Sequence, residues 1–185
     1  AAYIKRNTVK GEENDIIEIR NNSTIDDIWA SGGTWPCGIY PHSDGENNGG
    51  RILQKSGTYI TLASESGVTY VLSFQVAWGG DNGIWSLTNR DITANQWNHI
   101  ALTYDSGATG NNPIMYINGD SKAVTESQPP TSSITSEVGY DLTVGNKTSY
   151  DRQFDGMIDD VCIYSDILTA DEVDRNYKAG KRSHR

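Results

Sequence analysis

Near the start of the chain, Glu13-Asn14-Asp15-Ile16-Ile17-Glu18 sets acidic side chains at a spacing that can do chemistry. Retaining cleavage of a glycosidic bond needs a nucleophilic carboxylate and an acid/base carboxylate about 5–5.5 Å apart. On a strand that carries a bulge, Glu13 and Glu18 fall on one face, and Asp15 between them tunes the pair electrostatically. Position argues the other way. The cluster follows Lys10-Gly11-Glu12, where the domain begins, in a chain with 24 acidic residues. A short motif without its surrounding cleft has little specificity.

A second group of residues suits binding rather than bond cleavage. Trp78-Gly79-Gly80-Asp81-Asn82-Gly83 reads as an open loop. The Trp78 indole can stack on the apolar C–H face of a pyranose, while Asp81 and Asn82, with Asn111 and Asn112 from another loop, can bind hydroxyls or calcium. The same residue types are ordinary turn formers. Trp35 and Tyr40 are further stacking candidates that fit a core equally well. Asp159 and Asp160 can contribute to a calcium site, since Ca²⁺ takes carboxylate and carbonyl oxygens from flexible loops. Against that, Asp159 can accept backbone N–H groups at a bulge, or Arg51 or Lys55 can pair with one of the two. His99 alternates with Ala101 and Thr103 and has no serine or cysteine nucleophile beside it, which reads as structural. Asn22-Ser23-Thr24 and Asn146-Lys147-Thr148 fit the glycosylation pattern.

The bulk properties exclude several classes. A net charge of −9 argues against a nucleic-acid partner. No apolar run approaches the roughly 18 residues of a membrane-spanning helix, and no secretory signal is legible. Cys37 and Cys162 form no CxxC or Cys/His pattern, so their redox state is open. Residues 178–185 contain Lys178, Lys181, Arg182 and Arg185 and no acid. This basic tail is either a solvated chain end or a tag that docks on an acidic surface of a larger assembly.

The elements that must position these residues are short strands. Runs over 14–19, 34–40, 51–55, 59–62 and 68–74 are separated by turn residues at sandwich-like spacing. The stretch 97–104 alternates strictly, and 114–117 meets Asn118-Gly119, a strong hairpin signal, with 121–124 returning. In the closing stretch 154–164, Ile158 and Val161 share a face only if a bulge near Asp159-Asp160 absorbs one residue. Thr169 and Glu172 then predict a capping box, with Leu168 and Val173 as its hydrophobic staple.

Taken together, Cys37-Gly38-Ile39-Tyr40-Pro41 with Arg51-Ile52-Leu53-Gln54-Lys55, the 97–105 strand, Met115-Tyr116-Ile117-Asn118-Gly119 and the segment from Leu142 through Leu168 resemble the laminin-G-like, concanavalin A-type lectin/glucanase superfamily. The resemblance implies an all-β fold: a two-sheet antiparallel jelly-roll sandwich of about six or seven strands per sheet, closed by a short C-terminal helix. It covers roughly residues 15–177, and the chain divides into one domain, 1–177, with 178–185 as the tail. It places Trp97 in the core at the start of a buried strand. Where the family usually has tryptophan, this chain has Gly38, with Trp35 or Trp29 expected to refill the volume. The Glu13/Asp15/Glu18 cluster is similar to the motif of laminarinase-type endoglucanases of this superfold, but there it lies mid-chain on a central strand flanked by aromatic residues. The leading expectation is therefore a non-catalytic recognition or adhesion module for a glycan or a cell-surface or virion protein. It would be extracellular or on a virion surface, with Ca²⁺ as the candidate cofactor, in the manner of phage decoration or tail-fibre-like proteins. A glycoside hydrolase and a purely structural virion protein are the competing classes.

Overall fold

Strand periodicity in this chain produces two facing antiparallel sheets. The computed structural model describes residues 2–4, 16–63 and 68–181, so Glu13 and Asp15 lie outside the described residues. In chain order the strands are β1 (Ala2–Ile4), β2 (Ile17–Ile19), β3 (Gly33–Pro41), β4 (Arg51–Lys55) and β5 (Thr58–Ala63). There follow β6 (Thr69–Val76), β7 (Gly83–Leu87), β8 (Ile92–Thr93), β9 (Asn98–Tyr104) and β10 (Ile114–Ile117). The chain ends with β11 (Asp120–Lys122), β12 (Val124–Gln128), β13 (Leu142–Val144), β14 (Gly156–Asp159), β15 (Val161–Ile163) and the helix α1 (Ala170–Gly180).

The smaller sheet has five strands in the order β11-β10-β9-β3-β14. The larger has eight, ordered β12-β7-β6-β5-β4-β13-β2 with β8 also paired to β6. This is the jelly-roll sandwich that the sequence predicts, divided less evenly than six or seven strands per sheet. One cause is visible after the hairpin. Asn118 and Gly119 both take positive φ, 54° and 87°, and the expected return strand then splits at Ala123. β11 stays with β10, while β12 crosses to pair with β7.

The closing stretch is one strand path broken at Asp160. Asp160 has φ 51° and donates its backbone N–H to Asp159 Oδ1 at 2.8 Å. The break puts Ile158 and Val161 into the same core, as the bulge requires. β14 pairs with β3, β15 pairs with β1, and a Thr34–Tyr164 bridge keeps the path alongside β3. Thr169 and Glu172 then form the capping box, and Leu168 and Val173 pack with Ala101 and Tyr116 on the outer side of the smaller sheet. α1 runs through Lys178 to Gly180, and Lys178 pairs with Asp174. The last four residues lie outside the described part.

Between the sheets runs a column of rings. Trp29 and Trp35 lie 4.3 Å apart between centroids, Trp35 and Phe74 5.6 Å, Phe74 and Trp85 6.1 Å, and Trp85 and Tyr104 5.2 Å. Trp35 and Tyr104 come from the smaller sheet and Phe74 and Trp85 from the larger. Large rings add area burial and ring–ring attraction of about 0.5–1.5 kcal/mol per pair.

One polar group is built into the large sheet. Lys55 is wholly buried, and its Nζ donates to the Glu137 carbonyl at 2.7 Å and the Tyr140 carbonyl at 2.5 Å. Asp27 Oδ1 accepts from the Glu137 N–H at 2.7 Å and from Ser136 Oγ at 2.9 Å. The segment over 136–140 is thus clamped from two sides. The Glu137 carboxyl is buried, with the Thr58 hydroxyl as its polar neighbour. Burial pushes it up to about 8, Asp27 adds to the rise, and Thr58 and Lys55 oppose it. The native fold therefore keeps the Glu137 proton through a range where the unfolded chain has lost it, so stability falls as pH rises from the ordinary carboxylate range toward 8. Glu137→Gln should match the parent in urea unfolding at about pH 4 and exceed it increasingly up to about pH 9. Lys55→Met, which strands two buried carbonyls, should cost roughly 3 kcal/mol near pH 5 and more toward pH 9, where Glu137 must ionise without that charge beside it.

Candidate functional site

The helix packs on the smaller sheet, so the outer face of the larger sheet is left to side chains alone. Its alternation is clearest in β6, where Tyr70, Leu72, Phe74 and Val76 point inward and Thr69, Val71, Ser73 and Gln75 outward. Pairing sets Gln54, Tyr59 and Gln75 directly opposite one another across β4, β5 and β6. A second row aligns Arg51, Thr61, Ser73, Ser86 and Thr125.

These side chains hold each other in place. Arg51 Nε donates to Gln54 Oε1 at 3.1 Å, and its guanidinium lies 3.6 Å over the Tyr59 ring. The Tyr59 hydroxyl donates to Gln75 Oε1 at 2.8 Å, and Gln75 Nε2 donates to the Gly57 carbonyl at 3.1 Å. Ser73 and Ser86 hydroxyls are 2.7 Å apart. Arg51, Gln54, Tyr59, Gln75, Ser73 and Ser86 are all half-buried. Because Arg51 covers the tyrosine ring, the face offers directed donors and acceptors rather than a flat stacking platform. The sequence carries this site only as the polar half of an alternation, a pattern shared by any solvated strand face.

The residues expected to bind through loops are placed at the rim, where their polar atoms serve the turns. Trp78 is only 6% exposed and bridges to Ile134, so its indole is withdrawn from solvent. The Trp78 backbone N–H donates to Asn82 Oδ1 at 3.3 Å. The Asp81 N–H donates to Thr131 Oγ1 at 2.7 Å, and that hydroxyl donates to Asp81 Oδ2 at 3.3 Å. Asn111 Nδ2 donates to the Asp105 carbonyl at 3.1 Å, and Trp85 Nε1 donates to Asn112 Oδ1 at 2.7 Å. Among the described residues no hydrogen bond joins the two turns.

Other expected sites are placed as follows. Asp159 Oδ1 accepts the Asp160 N–H, and among the described residues no cluster of His, Cys, Asp and Glu side chains could hold a metal. Arg51 and Lys55 reach partners other than these aspartates. Glu18 is exposed on β2 at the edge of the larger sheet, with Oε1 3.9 Å from Arg20 Nε. Asn146 is 1% exposed, and its Oδ1 accepts the N–H groups of Lys147 and Arg152 at 2.8 and 3.1 Å, which closes it to glycosylation. Cys37 and Cys162 are free buried thiols, and burial together with Cys162 pushes Cys37 up.

A cleft of about 540 Å³ opens under the C-terminal end of α1. Pro36, Gly38 and Cys162 line it with small groups, and Trp97, His99 and Tyr177 with rings. Here two expectations are corrected. Gly38 faces outward, and it is Trp97 that lies over it, 3.5 Å from where a Cβ would sit; Trp35 and Trp29 belong to the internal column. Trp97 is accordingly half-buried, not part of the core.

A model of the concanavalin A-like lectin/glucanases superfamily, Laminin_G_3, matches residues 11–174. The chain belongs to this family. No curated protein matches it in sequence. Among solved structures it is similar to the CBM40 of Ruminococcus gnavus IT-sialidase bound to α2,3 sialyllactose, at 16% identity and TM-score 0.59, covering 88% of this chain and 96% of that one. It is also similar to the SAP-like pentraxin of Limulus polyphemus, at 19% identity and TM-score 0.59, covering 78% and 69%. The binding domain of Paraclostridial Mosquitocidal Protein 1 gives 19% identity and TM-score 0.65 over 92% of this chain, but only 42% of its own. At these identities the likeness shows the fold.

His99 gives this region a pH dependence. Its ring lies 5.5 Å from Tyr177, and burial lowers it from an ordinary 6.5 to about 4. The unfolded chain takes up a proton first, so the contribution of His99 to stability is complete above about pH 6.5 and is lost as pH falls toward 4. His99→Gln should remove that slope, worth roughly 2–3 kcal/mol between those limits, in denaturant unfolding measured across pH.

Proposed function

We propose that this chain is a non-catalytic recognition module that binds a saccharide on the outer face of its eight-stranded sheet. The observation that carries the reading is the preset row of Gln54, Tyr59 and Gln75, whose amides and hydroxyl are held in register by one another and by backbone carbonyls. Sugars present many hydroxyls at fixed spacing. Side chains that are ordered beforehand bind them at less entropic cost than free ones. Solved structures of this fold include a carbohydrate-binding module with a bound sialyllactose and the binding domain of a toxin, which agrees with a binding role. Hydrolysis has less behind it, since Glu18 stands exposed at a sheet edge and pairs with Arg20.

The rim turns holding Asp81, Asn82, Asn111 and Asn112 are the second place where a ligand can be met, next to the end of the same sandwich. Display on a cell or virion surface, outside the cytosol, suits such a module, and the basic residues from Lys178 onward would then face an acidic neighbour in the assembly.

The test is a glycan array followed by calorimetry on the best saccharide. Gln75→Ala and Gln54→Ala should each weaken binding about ten-fold, the value of one or two directed hydrogen bonds. Full affinity in both variants, with loss in Trp97→Ala, would move the site to the cleft under α1. Retention of no saccharide at all would leave a structural role.

A further inference from the structure

We infer that this face carries an anion subsite, in which Arg51 and Arg152 together receive the carboxylate of an acidic sugar. The inference rests on the saccharide-binding reading and names its ligand class.

Both arginines reach the same short loop. Arg51 Nη1 donates to the Gly49 carbonyl at 3.3 Å, and Arg152 Nη1 donates to the Asn47 carbonyl at 3.0 Å. Their backbones are joined as well, the Arg51 N–H donating to the Arg152 carbonyl at 2.8 Å. A Cβ on Gly49 would sit 3.6 Å from Arg152 Nη1 and 3.8 Å from Thr61 Oγ1, so Arg152 stands at the end of the row formed by Arg51, Thr61 and Ser73. Arg152 acts electrostatically on Arg51, whose guanidinium is lowered chiefly by burial and further by this like charge.

Neither arginine forms an ion pair among the described residues. Asp151 acts electrostatically on Arg51, but its carboxylate is taken by Lys147 at 3.0 Å and by the Ser149 hydroxyl at 2.7 Å. Glu46 spends Oε2 on the Gln153 N–H at 3.3 Å. In a chain of net charge −9, two half-buried guanidinium groups thus reach one loop, and among the described residues no ion pair ties either to a carboxylate. Like charges so placed repel, and an anion between them removes the repulsion while gaining charge-assisted hydrogen bonds.

The pair is also held rigidly. Buried Asn146 fixes the Arg152 N–H through Oδ1, and the Gly50 and Glu46 N–H groups bind the Asp44 and Gln153 carbonyls at 2.8 and 2.9 Å. At Gly45 a Cβ would come 2.5 Å from the Gln153 carbonyl oxygen, and φ is +81°, so the two loops meet only because this residue has no side chain. Tyr59 supports Arg51 from below. A planar guanidinium fork matches a planar carboxylate, and the sugar ring bearing it would extend over Gln54 and Gln75.

The ligands that test this share one core: lactose, sialyllactose and lactose sulfate, measured by calorimetry with the parent chain, Arg152→Gln and Arg51→Gln, each checked for cooperative unfolding. The parent should bind sialyllactose at least ten-fold more tightly than lactose, with affinity falling as salt rises. Arg152→Gln should abolish that preference and leave lactose binding unchanged, whereas Arg51→Gln, which also releases Gln54 and Tyr59, should abolish it and weaken lactose binding as well. Arg152 lies outside the strands, so its variant keeps the test open if Arg51→Gln folds poorly. Equal binding of sialyllactose and lactose by the parent, or a preference that survives both substitutions, overturns the subsite and leaves the saccharide module standing. Preference for the sulfate over the carboxylate overturns the assignment of ligand class. Absence of binding to any saccharide overturns both readings.

Discussion

The ring column from Trp29 through Trp35 and Phe74 to Trp85 and Tyr104 is the contact that sets the rest of this molecule. It joins β3 and β9 of one sheet to β6 and β7 of the other with bulky groups that tolerate little displacement, since close-packed interiors transmit changes of even one methylene. Once these rings define the separation of the sheets, every strand has a settled inner and outer face. The outer positions of β4 to β7 are then free to be polar. Gln54, Tyr59, Gln75 and Ser73 can meet each other only because Ile60, Leu72, Phe74 and Trp85 are committed to the other side.

Loops inherit their positions from buried polar anchors rather than from length or composition. Lys55 clamps the segment over 136–140 through two carbonyls, Asn98 binds the Thr93 and Gln96 carbonyls at 2.8 and 2.9 Å, and Trp85 reaches out of the core to Asn112. Each anchor begins on a strand or its end and finishes on a turn. Such groups must be satisfied, because an unmade buried hydrogen bond costs about 1–3 kcal/mol. A rim built this way is rigid where polar residues are dense, since Asp81, Asn82, Asn111 and Asn112 each bond within or across a turn.

This distinction explains what could be read from the sequence. Local rules were legible: the Asn118-Gly119 turn, the capping box at Thr169 and Glu172, and the break that lets Ile158 and Val161 share a core each depend on residues within a few positions. Placement across the sandwich was not. That Trp97 lies half-open over Gly38 depends on which face of β3 points outward, a property of pairing between β3 and β9, and that Trp78 is buried depends on its bridge to Ile134, 56 positions away. The outer row shows the same limit more sharply. Gln54, Tyr59 and Gln75 belong to separate strands with no shared motif, and only register makes them neighbours.

Arg51 illustrates how one residue type changes meaning with its surroundings. In the sequence it opens a strand and is a possible partner for the aspartates near the chain end. In the fold it lies on Tyr59, bonded to Gln54 and the Gly49 carbonyl, while Asp159 turns to the Asp160 N–H. An arginine serving only stability on an open surface gains little from such a setting, since exposed ion pairs are themselves worth about 0–1 kcal/mol. A guanidinium held by an aromatic ring, an amide and a carbonyl has instead lost its rotational freedom before any partner arrives. The cost of ordering it falls on folding, not on binding, and that asymmetry is what separates a recognition surface from a solvated one.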